Sequence, residues 1–394
     1  MNNLNRLKFL RVVVCIALLV GVLFSLELWF ASTRAFPRIP FLFALPEAVV
    51  LHAERLFCAV LLISLILITV LRRLKLFSVI AVASLGSLIF FDQMRLQPWV
   101  YQYLLLLVVL TLHDWQTEDE PDSNQTLCVL QLIIAALYFW SGVQKLNFSF
   151  VDETLPWLLA PLKNVLFAVR PPLIVLGLSV ALAEVLIGCG LLFRRTRNLC
   201  VLLAVAMHAI VLGLLIAKDY NSIVWVWNAA LILMVVILFW KSDVSFRRTI
   251  TVWHKSIWKT KIAKSVAVAF SLLPILSFWN WWDMYLSGAL YSGNTAVAVV
   301  RINQEVRENL PQKARQQLFQ TKSGGEQMLP LLEWAMAELN VPVYPEPRVF
   351  KQTARSLCHL TKDKSGVELV IKERPAIFDG SYQVTRITCG ELEH

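Results

Sequence analysis

The sequence predicts an all-α polytopic membrane domain of about nine transmembrane helices, followed by a small α+β extracytoplasmic domain. Three observations carry this expectation. The 394 residues are 57% hydrophobic, with a mean hydropathy of +0.62, well outside the range of globular chains. Apolar runs of spanning or near-spanning length recur between Val12 and Trp282. Beyond Gly293 the composition turns mixed and charged, with no further run of that kind. The division therefore falls near residue 290, giving a transmembrane domain of residues 1–290 and a second domain of residues 291–394.

In chain order the runs are Val12–Phe30, Leu51–Leu71, Leu76–Phe91, Pro98–His113, Leu127–Gln144, Leu173–Phe193, Asn198–Ala217, Ser222–Trp240 and Ser265–Trp282. A span needs roughly 17–25 residues, so Leu76–Phe91 and Pro98–His113 are the marginal members. Arg6, Lys8 and Arg11 precede a first run too long for a cleaved signal, which predicts a signal anchor. Those residues, with Arg72, Arg73, Lys75, Arg194, Arg195, Arg197 and the basic loop Lys241–Lys264, place the N-terminus in the cytoplasm and account for the net charge of +10. The acidic loop Asp114–Gln125 weighs little in that rule. An odd number of spans then sends the C-terminus outside. The chain is expected in a cell membrane, the inner one in a bacterium, with the lipid bilayer as its first partner and no nucleic acid.

Pro37, Pro40 and Pro46 break the connection between the first two runs. Glu54 and Arg55, just inside the second run, are expected to satisfy each other or neighbouring helices. Asp92–Trp99 joins the two short runs as a polar, aromatic rim. Val151–Arg170, interrupted by Pro156 and Pro161, reads as an interfacial or re-entrant piece. In the second domain Val297–Ile302 is a strand, Gln304–Leu318, Glu326–Leu339 and Arg348–Leu360 are helices, and Val367–Arg374 and Tyr382–Cys389 form a hairpin around Asp379-Gly380. Cys358 and Cys389 are the two cysteines of that domain. In an oxidising compartment they are expected to form a disulfide worth about 3–4 kcal/mol in the chain-entropy model.

The charge-free run Leu127–Gln144 ends on Lys145, at a depth where lysine costs about 2.5–3.5 kcal/mol unless it snorkels to the headgroups. Gln131, Tyr138 and Lys145 recur every two helical turns, with Ser141 between the last two, so they form one polar stripe. Lys145 is either an interfacial anchor or a functional amine. Tyr138, Trp140, Asn147, Trp225 and Asn228 are the candidate walls of a cavity around it, and burial there would leave the amine neutral and able to act as a base. Glu184 and His208 lie equidistant from the turn at Thr196, at matched depth on the two arms of a hairpin. They serve either as a proton relay or as polar glue between helices. His52, Glu54, Asp92, Tyr101, Lys145, Asn147, Asn221 and Asn228 all map to the external side, which suggests an outward-facing vestibule. There is no P-loop, no dinucleotide-binding glycine pattern, no His-Glu-x-x-His and no Cys-x-x-Cys, and the histidines are scattered, so no metal site is predicted.

The segment Gly142-Val143-Gln144-Lys145-Leu146-Asn147, preceded by an aromatic pair and followed by Phe148 and Phe150, resembles the Gly-Val-x-Lys-Leu segment of the vitamin K-dependent gamma-carboxylases and their HTTM relatives. DoxX-like membrane proteins carry a looser version. The resemblance covers the membrane part and implies a base at Lys145 acting on a lipid-soluble quinol, so a quinone or quinol is the implied cofactor. Gln144 replaces the first of two lysines, and residues 291–394 are far fewer than the carboxylases' substrate-binding region. Two functions stay open: an enzyme acting on a lipid-soluble small molecule, or a non-catalytic DoxX-like assembly or redox-partner module whose external domain binds another protein.

Overall fold

The computed structural model describes residues 1–30, 34–41, 46–71, 75–115, 120–164, 172–244, 258–320 and 326–392. Arg72 and Arg73, residues 116–119 of the acidic loop, Arg170 and much of the basic loop lie outside these residues. The helices are α1 (Asn3–Phe24), α2 (Glu47–Val70), α3 (Lys75–Phe91), α4 (Pro98–Leu112), α5 (Glu120–Gln144), α6 (Leu173–Leu192), α7 (Arg197–Ala217), α8 (Ser222–Phe239) and α9 (Trp258–Leu272), the last continued by a tight helical turn to Trp279. Local chemistry sets several boundaries. The Asn2 side chain caps α1 through the Asn5 amide, and Pro98 opens α4, where its missing N–H costs nothing.

Among the described residues seven helices are long and apolar enough to cross a membrane, namely α1, α2, α5 from Asp122, α6, α7, α8 and the Lys261–Trp279 segment. The chain is a polytopic membrane protein. The α3 and α4 helices are apolar but shorter, and at 1.5 Å per residue the 15 residues of α4 reach only about 22 Å of a core near 30 Å. Within the bundle α5 is the central helix: 78% of its apolar window is buried, against 28–56% for the other six.

Helices α5 and α6 cross at very short range because glycines remove the side chains that would separate them. A Cβ added at Gly142 would stand 2.6 Å from the Ala181 carbonyl oxygen and the Val185 amide, and one at Gly188 would stand 2.6 Å from the Phe139 amide. Such small-residue contacts replace the hydrophobic drive that is missing between helices in lipid. Lys145 lies one turn beyond Gly142, and Glu184 lies between Ala181 and Gly188.

The C-terminal region forms a five-stranded, fully antiparallel sheet from β1 (Val297–Ile302), β2 (Phe319–Gln320), β3 (Gln327–Pro330), β4 (Val367–Lys372) and β5 (Val384–Thr388), in the order β2-β3-β1-β4-β5. Val300, Leu329, Leu369 and Ile371 pack with the buried faces of α10 (Leu331–Leu339) and α11 (Pro347–Cys358). The Cys358–Cys389 disulfide joins α11 to the chain after β5, with Cα atoms 5.8 Å apart.

Two sequence expectations are corrected in this region. Gln304–Leu318 is two short helices, Gln304–Asn309 and Gln312–Arg315, because Pro311 interrupts it. Glu326–Leu339 begins as β3 and becomes helical only after Pro330, since pairing with β1 outweighs the helical pattern.

The sheet sits on the bundle end where α1 finishes and α2 begins. Glu338 accepts hydrogen bonds from the Ala35 and Phe36 amides, Asn340 donates to the Phe24 carbonyl, and Gln97 donates to that of Pro342. Val151–Leu162 is a run of short helical turns.

Candidate functional site

A chamber of about 130 Å³ lies between α5, α6, α7 and α8, beside the end of the bundle that carries the sheet. Its walls are mostly apolar, including Leu137, Phe150, Val180, Met207, Trp227 and Leu231. Six polar side chains of the lining form two hydrogen-bonded groups.

The first group is an ion pair. Lys145 Nζ stands 2.7 Å from Glu184 Oε2 and donates to Ser141 Oγ at 2.6 Å and to the Ser141 carbonyl at 3.2 Å. Lys145 is 9% exposed and Glu184 6%, so the amine does not snorkel to the headgroups; its partners lie inside the bundle. The pair carries no net charge, and a proton passing from Nζ to Oε2 leaves it neutral, so acid–base exchange within it places no new charge in the apolar interior. An amine neutralised by apolar surroundings alone was the sequence expectation. It did not include a carboxylate in contact.

The second group is a hydrogen-bonded chain. Asn228 Nδ2 donates to the Val224 carbonyl at 2.8 Å, which turns Oδ1 toward His208 Nδ1, also at 2.8 Å. An amide oxygen only accepts, so Nδ1 of the neutral ring bears the hydrogen. Nε2 then offers its lone pair to the Tyr138 hydroxyl, which donates to it at 2.7 Å. The arrangement has the logic of an oriented base: Asn228 sets the tautomer of His208, and His208 polarises Tyr138.

Glu184 and His208 thus share one chamber, but each takes a different partner from the one the hairpin arithmetic suggested. Lys145 was placed against Tyr138 and the α8 helix, and the lining includes Tyr138 and Asn228. Three other candidates do not line the chamber. Trp140 donates to the Ser271 carbonyl, on the α9 side of α5. Trp225 turns back to cap the Tyr220 carbonyl, while Trp227, two residues on, faces the chamber and donates to Gln102. Asn147 holds the loop after α5, donating to the Gln144 and Ser292 carbonyls and accepting from the Phe150 amide.

Nor do the polar residues expected on the external side form one vestibule. Glu54 pairs with Arg95 at 2.7 Å and Arg38 at 3.3 Å, not with Arg55, which is exposed; Asp92 pairs with Arg34 at 2.6 Å. His52 bonds its own helix, and Asn221 donates to Tyr291. Gly288, Leu290 and Tyr291, from the connection between the bundle and β1, close the chamber. No pattern in the sequence singles them out. Among the described residues no cluster of His, Cys, Asp or Glu has metal-binding geometry.

Fold and site together define a polytopic membrane protein whose helix bundle holds a largely apolar chamber, lined by the Lys145–Glu184 ion pair and the Tyr138–His208–Asn228 hydrogen-bonded chain. Compared with family models, curated proteins and solved structures, the chain gives no match to any of them.

Proposed function

We propose that the chamber receives the hydroxylated ring of a lipid-soluble molecule of the quinol class and removes a proton from it, with Lys145 and Glu184 as the acid–base pair. One observation carries this reading: a pair of zero net charge faces an apolar space of ring size. A cavity near 150 Å³ holds benzene, so about 130 Å³ suits one six-membered ring, with any isoprenoid tail outside. A fused two-ring quinol would require Leu290 or Tyr291 to move. Tyr138, polarised by His208, offers a second hydroxyl for orienting the ring oxygen.

The reading is tested with a short-tailed phenolic ligand whose ionised form absorbs at longer wavelength. The wild type should bind it and show the phenolate band, and Lys145→Ala and Lys145→Arg should bind it without that band. A band that persists in Lys145→Arg removes Lys145 as base, because guanidinium does not deprotonate in this range. Mass spectrometry of the purified protein should find a quinone-type lipid.

The same reading sets the N-terminus in the cytoplasm and residues 291–394 outside as a separate domain, with α3 and α4 completing nine crossings. It is supported by charge: Arg6, Lys8, Arg11, Lys75, Arg194, Arg195, Arg197 and Lys241 all lie at or near the helix ends opposite the sheet. Cysteine labelling from each side of the membrane checks it. A second reading, a non-catalytic module that binds a protein partner, is favoured by the free edge of β5, whose residues Val384–Arg386 are exposed. Co-purification of a stoichiometric partner, lost on shortening β5, would support that instead.

A further inference from the structure

The loop between β4 and β5 carries Phe378 at its tip with 93% of its surface exposed, the most exposed large apolar side chain among the described residues. The loop is bolted to the ends of two membrane-crossing helices. Its Ile377 carbonyl accepts from the Phe148 amide at 2.8 Å, just past the end of α5, and Gly380 lies against the Phe148 ring. At its base Arg374 donates to the Ser277 carbonyl at 2.5 Å and lies 5.5 Å from the Phe278 ring centre, in the last turn of the Lys261–Trp279 segment. Trp279, Trp281 and Phe148 on the same rim are 60%, 75% and 43% exposed.

We infer that this loop is a membrane-contact element, with Phe378 seated in the boundary between headgroups and acyl chains of the leaflet on the sheet side. The occupant follows from position. Helices that cross a bilayer leave its apolar layer where Phe148 and Trp279 stand, and aromatic side chains concentrate at that depth. A loop hydrogen-bonded to both helix ends holds its tip at the same level. A protein partner would instead have to reach Phe378 among exposed tryptophans already placed for lipid. The contact ties the sheet to the bilayer as well as to the bundle, and its anchor at Phe148 is three residues beyond Lys145.

The test is depth measurement by spin labelling of the full chain in phosphatidylcholine vesicles. Phe378→Cys is compared with Glu308→Cys, an exposed site on the helix after β1, at the opposite end of the sheet from this loop. The unmodified chain is labelled in parallel to correct for Cys189, the one free cysteine that is not buried. The label replacing Phe378 should collide several-fold more with oxygen than with a water-soluble nickel chelate, relative to the label replacing Glu308. Equal access of the chelate at both sites overturns the inference. So does shielding at position 378 from both reagents that is relieved on dilution, which would mean contact with a second copy.

Discussion

Two clusters of buried charge lie toward the same end of the bundle, and they differ in what they border. In the first, Arg95 is fully buried and spends its donors on Glu54 and on the Leu28 and Leu88 carbonyls, while Asp92 pairs with Arg34 and accepts from the Ile39 and Met94 amides. It ties α2 and α3 to the segment after α1, and none of its residues lines the chamber. In the second, Lys145, Glu184, Tyr138, His208 and Asn228 are just as well bonded but face open apolar space. Burial of charge alone therefore does not mark a site. The space beside it does.

Replacing one member should separate a scaffold from a chemical device. Arg95→Met leaves Glu54 buried with only Arg38 and should cost about 3–5 kcal/mol, seen as a large fall in the thermal midpoint of the detergent-solubilised protein. Lys145→Met should be similarly destabilising, because it leaves Glu184 without its cation. Here the double variant Lys145→Met with Glu184→Leu should recover much of the loss while ligand ionisation stays absent. If the double variant is no more stable than the single one, the pair is not the closed neutral unit described above.

The comparison also shows what the sequence made legible. The hydropathy pattern gave the bundle, and the stripe from Gln131 to Lys145 gave the face of α5 that meets other helices, because one helical period settles both. Helix-to-helix partners are set by crossings that periodicity does not encode. Glu184 reached Lys145 through Gly142 and Gly188, and Glu54 on α2 met Arg95 in the turn just past α3. Trp225 and Trp227 were indistinguishable as residue types, and only the rotation of α8 decides between them. In the sheet region the same limit appears at Gln327–Pro330, where strand pairing overrode a helical pattern.

The bundle and the sheet region should also respond differently to redox and pH. Breaking the disulfide with Cys358→Ser should cost about 3–4 kcal/mol in the chain-entropy model and loosen α11 from the chain after β5. Hydrogen exchange should rise in α11 and β5 and stay unchanged in α5 and α6. Equal loosening throughout would mean the two regions unfold as one.

Glu346 sets the pH response of the seam between them. Its carboxyl is pushed up from 4.5 to about 7, first by burial and then by Asp283, against the Met284 amide and Arg348, which favour the ionised form. The folded protein therefore holds this proton more tightly than the unfolded chain between about pH 4.5 and 7. Stability should be highest on the acid side of that window, decline as pH rises through it, and level off above it, with a total change of roughly 3 kcal/mol. Glu346→Gln should flatten that slope in thermal unfolding followed across pH. An unchanged slope would assign the titration to another group.

The smallest expected effect is the most specific to the chamber. Asn228 touches no open charge; its work is to orient His208, so Asn228→Ala should cost only about 1–3 kcal/mol, the usual penalty for an orphaned buried partner. Its consequence for the relay is larger than that figure suggests. Without Oδ1 as acceptor, Nδ1 no longer has reason to hold the hydrogen, and the ring can present an N–H at Nε2 to Tyr138 instead. The Tyr138 hydroxyl then becomes an acceptor, and its polarisation is lost. Nitrogen-labelled histidine should report this directly: in the wild type the Nε2 resonance of His208 lies in the unprotonated range, and in Asn228→Ala it moves toward the protonated one. Asn228→Asp should keep the wild-type pattern, because a carboxylate oxygen still accepts from Nδ1. If the tautomer is the same in all three proteins, Asn228 is polar glue between α7 and α8, and the contrast with the Arg95 cluster narrows to the Lys145–Glu184 pair.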